Sequence, residues 1–132
     1  MTVAHEVVWL DADHRIIRQA YRGQLRLDET LPVLERCATF IRMENHAVDI
    51  ILDMRTLPIH QMREFFAIVR YLTSKVPLNQ RHIVVCADRL FIDALADATS
   101  SLAMKTLAAL RFFTTLDEAV QDLRQRASES SC

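Results

Sequence analysis

Short apolar runs alternate along this chain with stretches in which apolar residues return every three or four positions. The most apolar run lies in VDIILDM at residues 48–54, where Ile50, Ile51 and Leu52 stand together before Asp53. A run without polar alternation is the mark of a strand buried on both faces, so this stretch predicts a central strand of a helix-covered sheet. A turn containing Pro58 follows, then a helical pattern over residues 60–75 with Met62, Phe65, Phe66, Val69 and Leu72 inward. Pro77 stops that helix, because it cannot continue the hydrogen-bond ladder. Upstream, residues 6–11 and 15–25 are β-rich and are punctuated by Asp13 and His14, which predicts an antiparallel hairpin. A helix is expected from about Asp28, capped by an Asp or Thr, with Pro32 in its first turn. Leu31, Leu34, Ala38 and Ile41 make its inward stripe, and Cys37 lies beside them as a small core residue.

Residues 81–87 read as a further buried strand, and Asp88 is placed to cap a third helix with Phe91, Leu95, Ala98 and Leu102 inward. Residues 110–113, LRFF, form a last short strand. Thr115 and Glu118 then have the spacing of a capping box, and the closing helix runs to about Arg126 with Leu116, Ala119, Val120 and Leu123 inward. Residues 128–132 read as a disordered tail. The predicted order is β-β-α-β-α-β-α-β-α in one α/β domain over residues 1–127. It implies a mixed five-stranded sheet with four helices, the hairpin antiparallel and the remaining strands parallel with right-handed crossovers.

Composition narrows the chemistry. The 132 residues include 16 basic and 17 acidic ones, a net charge of −1 that gives no general attraction to nucleic acid or anionic membrane. No stretch reaches the ~18 apolar residues of a membrane span. The first residues lack the basic-then-apolar order of a signal peptide, and the three cysteines (Cys37, Cys86, Cys132) have no disulfide-like or metal-like spacing. A reducing, cytoplasmic setting is the expectation. The single glycine, Gly23, excludes a Walker loop or a dinucleotide fingerprint, both of which need several glycines to bring backbone amides onto phosphate. No cofactor is expected.

Candidate catalytic groups are few. The five histidines (His5, His14, His46, His60, His82) show no i, i+4 pairing, so no metal motif is written here. Cys86 is the best nucleophile candidate, set against the commoner role of a buried strand cysteine as a core residue. Asp53 and Asp88 both end parallel strands, which allows a carboxylate pair at one sheet edge; the commoner role for each is to cap a helix or tie down a loop. Arg18, Arg22 and Arg26 share one parity, either to grip an anionic partner or to guard an exposed sheet edge with charge.

Three stretches, WLDADHRIIRQAYRGQLRLDE, VDIILDMRTL and LRFFTTLDEAVQDL, together with their order, resemble the STAS domain in its SpoIIAA-like branch, the fold of anti-sigma-factor antagonists. The resemblance implies the SpoIIAA-like sheet and a role in protein recognition. Its best-known members carry a phosphorylated serine in an Asp-Ser-Ser-Gly stretch after the central strand. Gln61, Met62, Arg63 and Glu64 occupy that place here, with no hydroxyl and no glycine. The resemblance therefore implies a member outside the usual serine switch, although Thr56 lies earlier in the loop.

The expected site is the C-terminal end of the central strand: Asp53, Arg55, Thr56, His60 and Arg63, with Asp88 nearby from the next parallel strand. Parallel strands deliver their following loops to one edge, where helix N-termini favour anions. Arg55 and Arg63 suit an acidic partner surface or an anion. The functional expectation is a non-catalytic STAS-like protein-interaction module in bacterial signalling or regulation, with no nucleic acid, membrane or metal. An exposed sheet edge or helix face offers a route to a homodimer. The alternative is a small cytoplasmic hydrolase or transferase, or an apolar-ligand-binding protein, using the same edge.

Overall fold

The computed structural model describes residues 5–22, 25–56, 61–74, 76–98 and 110–130. In chain order these form β1 (His5–Trp9), β2 (Ile16–Tyr21), α1 (Leu27–Arg42), β3 (Val48–Met54), α2 (Met62–Ser74), β4 (Gln80–Ala87), α3 (Arg89–Ala98), β5 (Arg111–Phe113) and α4 (Leu116–Ser130). The five strands lie in sequence order; β1 and β2 are antiparallel, and every later neighbour pair is parallel. This is the α/β class and mixed sheet that the alternation of apolar runs and amphipathic stretches predicts. All seven residues of β3 are buried at the centre of the sheet, as a strand without polar alternation requires.

The strand order decides where the helices go. Each crossover from β2 to β5 joins immediate neighbours in the same direction, so right-handed connections put α1, α2 and α3 on one face. There Leu34, Cys37, Ile41, Phe65, Val69, Leu72, Phe91 and Leu95 pack on Ile17, Ile50, Leu52 and Val85. Among the described helices, α4, which is not a crossover, is the one that reaches the second face. Its Ala119 and Leu123 bury Ile51, Val84 and Cys86.

The hairpin turn is built by Asp11, whose Oδ1 accepts from the amides of Arg15 (2.9 Å) and Ile16 (3.2 Å). His14 takes the left-handed conformation at φ 56°, and its ring stacks on Trp9 at 4.3 Å. Strand β2 stops at Tyr21, four residues short of the expected end. Helix α1 begins at Leu27, before the expected start. Arg26 occupies its N-cap without a side-chain cap bond, and Thr30 donates back to the Arg26 carbonyl at 2.7 Å. Pro32 is consequently the sixth helical residue, one turn deeper than expected, beside the exposed Asp28. Leu31 also departs from its expected inward position: it is 43% exposed, and Val33 takes the buried place. Helix α4 runs through Ser130, past the expected end at Arg126 and into the expected tail. Its N-terminus bears out the Thr115–Glu118 pairing: Thr115 Oγ1 accepts from the Glu118 amide (3.2 Å) and donates to Glu118 Oε1 (2.8 Å). Leu102, Pro58 and Cys132 lie outside the described residues.

Candidate functional site

Asp53 sits opposite Ala20 of β2 and Cys86 of β4, on the second face of the sheet. Its carboxylate is 6% exposed, and burial of a lone charge is costly enough to demand partners. Two arginines supply them. Arg18 donates to Oδ2 through Nε (2.9 Å) and Nη2 (2.6 Å); Arg55 donates to Oδ1 through Nε (2.9 Å) and to Oδ2 through Nη2 (2.8 Å). The Arg55 amide also donates to Oδ1 at 3.3 Å. Burial pushes the Asp53 carboxyl up, but the bonds from Arg55 and Arg18 outweigh it and hold the group below its ordinary value. The same contact raises the Arg55 guanidinium above its own ordinary value.

The cluster continues onto the hairpin. Glu6 Oε1 accepts from Arg18 Nη1 (3.3 Å) and from Arg22 Nη2 (3.5 Å). Thr56 donates its hydroxyl to the Tyr21 carbonyl (3.2 Å), tying the start of the β3–α2 connection to the end of β2. Arg18, Ala20, Tyr21, Arg22, Asp53, Arg55 and Thr56 line an open cavity of about 450 Å³. The Arg22 and Arg55 side chains are 62% and 40% exposed, whereas Arg18 forms the floor at 16%.

Of the expected site residues, the structure brings Asp53, Arg55 and Thr56 together. Arg63 stands exposed in the first turn of α2, on a helix of the other face, and does not line the cavity. Asp88 follows β4, where its carbonyl accepts from the Ile92 amide (3.0 Å) at the start of α3; it does not line the cavity either. His60 lies outside the described residues. Arg18, Arg22 and Glu6 are cavity-side residues that the expected site omits. The parity of Arg18 and Arg22 was a signal for two of them. Arg26 does not join that row: it has left the strand and faces Asp28 at 3.6 Å.

The remaining candidates offer little to catalysis. Cys86 is fully buried, and burial pushes its thiol up to about 11, so the thiolate is scarce at neutral pH. Asp53 has both oxygens engaged. Among the described residues, no group of three or more His, Cys, Asp and Glu is placed to hold a metal ion. At the opposite end of the same strand face, Asp49 is bound by Arg81 Nε (3.0 Å) and Nη2 (2.8 Å) and by the His82 amide (3.0 Å), a structural pair under α4. Comparison with family models, curated proteins and solved structures finds no match to the chain. Among the described residues no helix is long and apolar enough to cross a membrane.

Proposed function

We propose that this chain is a non-catalytic, STAS-like protein-interaction module in bacterial signalling or regulation, and that it recognises an acidic partner through the Arg18–Asp53–Arg55 cavity. The order of strands and helices and the mixed sheet support the STAS-like part of this reading. The observation that carries the binding site is the arrangement of charge: Asp53 and Glu6 fix the arginines in place, and Arg22 and Arg55 remain exposed at the rim. Fixed guanidiniums suit carboxylates, because their planar donors are already aligned. The absence of a serine at the start of α2, where Met62 and Arg63 stand, supports a module outside the usual phosphorylation switch.

The test is an NMR titration of the isotopically labelled protein with a glutamate-rich decapeptide. The amides of Arg22, Arg55 and Thr56 should shift saturably at low salt and recover near 0.5 M salt, roughly where screening shortens to a few Å. The double substitution Arg22→Ala and Arg55→Ala should abolish the shifts. Perturbations confined to α2 around Arg63, or none at all, would overturn the assignment.

A further inference from the structure

Among the described residues, α4 reaches Ile16 and Leu10 at one end of the β1–β2 half of the second face, and no helix covers the rest of that half. Helix α4 packs over β3, β4 and β5, while the β1–β2 half carries Glu6, Val8 and Leu10 opposite Ala20, Arg18 and Ile16 in same-face register. Val8 is half-buried and belongs to neither core cluster. Two cavities open along this strip. One is the arginine cavity at Arg18 and Ala20. The other, of about 290 Å³, lies between Leu10 and Ile16 on the sheet and Leu116, Val120 and Arg124 on the flank of α4. Asp11 and Asp117 also line the second cavity, so the strip combines apolar side chains with two carboxylates toward Ile16 and is basic toward Arg22.

We propose that this strip is a docking groove for an amphipathic helix of a partner protein, apolar along one side and acidic at one end. The proposal deepens the binding reading above and rests on it. Charge selects the acidic end: among the described residues Arg18, Arg22 and Arg55 pair with Glu6 and Asp53, and three guanidiniums against two carboxylates leave one positive charge in excess. Length fits a helix. The six residue steps from Ile16 to Arg22 span about 20 Å at strand rise, the length of roughly 13 helical residues. Among the described residues a second copy of this chain offers no free helix, because the apolar stripes of the four described helices already face the sheet. Helix-in-groove recognition of this kind reads apolar anchors at i, i+3, i+4 and i+7.

Three labelled peptides test it by fluorescence anisotropy against the intact chain: a helical peptide with that stripe and glutamates in its last turn, the same stripe with lysines there, and a glutamate-rich decapeptide without a stripe. The first should bind at least about tenfold tighter than either of the others, a difference well within reach of a few apolar anchors. Val120→Gln and Leu10→Gln, made separately and each checked for an unchanged thermal midpoint, should weaken the first peptide about fivefold or more and leave the third unchanged. If only one variant folds, it suffices. Equal binding of the first and third peptides, indifferent to both substitutions, would overturn the groove and leave the arginine site standing. Failure of all three peptides would overturn both. A dimer that Val120→Gln dissociates would assign the strip to a second copy instead and overturn the partner helix.

Discussion

Asp53 illustrates how neighbours fix what a carboxylate does. Its two oxygens take five donated bonds from Arg18 and Arg55, side chain and backbone together, so it orders the arginines and has no free lone-pair direction for general-base work. Removing it should therefore cost more than removing either exposed arginine. Asp53→Asn leaves Arg18, at 16% exposure, with only its longer contact to Glu6 at 3.3 Å, and we expect a loss of about 2–3 kcal/mol, below the full cost of breaking a buried pair because Glu6 remains and water reaches Arg55. Arg55→Ala leaves Arg18 on Asp53 and should cost less than about 1 kcal/mol. Urea titration of both variants measures the difference; equal losses would show that Arg18 does not hold the carboxylate. The acid limb provides a second check. The folded carboxyl lies below its unfolded value, near 3.9 for an aspartate, so its contribution is present above that value and disappears as pH falls through the folded one. The parent should lose stability more steeply than Asp53→Asn between roughly pH 5 and pH 2.

Elements with a local cause were legible in the sequence; elements set by register were not. The cap at Thr115 and Glu118 needs only residues four positions apart or fewer; its forward bond to the Glu118 amide forms as expected, while the Glu118 carboxylate takes the Thr115 hydroxyl. Thr115→Ala should accordingly cost about 1 kcal/mol, read as a shift in the urea midpoint with an unchanged slope. Strand β3 was legible because burial on both faces leaves a run without alternation. The start of α1 was harder, since Thr30 bonds back to the Arg26 carbonyl from inside the helix and its side chain mimics a cap signal. The arginine partners of Asp53 were hidden for another reason. Arg18 is 35 residues away, and only the parallel pairing of β2 with β3 places it beside the carboxylate. Parity exposed the row; no local pattern states which strand will stand next to it.

At the scale of the molecule, the site follows from strand order. Ligands in open parallel sheets usually sit where the order reverses and two crossovers part. Here the strands run in sequence order without reversal, so that crevice does not form at Asp53, Arg63 and Asp88, and the open ground is the second face beyond α4. The same asymmetry bears on stability. Helices α1, α2 and α3 share one core cluster and support one another, whereas α4 belongs to the smaller cluster on the other face through Ala119 and Leu123, with Leu116 and Val120 at its flank. Local opening follows the density of buried apolar contacts, so α4 should detach while the rest of the sheet stays folded. Native-state hydrogen exchange under low denaturant should show α4 amides opening at a lower free energy than those of β3, whose exchange should require global unfolding. Leu123→Ala removes a side chain that is 1% exposed and should lower global stability by about 2–5 kcal/mol, lowering the opening free energies of α4 and β3 together and leaving the gap between them unchanged. If α4 and β3 exchange with one common free energy in the parent, the last helix is integral to a single cooperative unit, and the uncovered half of its face is buttressed more firmly than this packing implies.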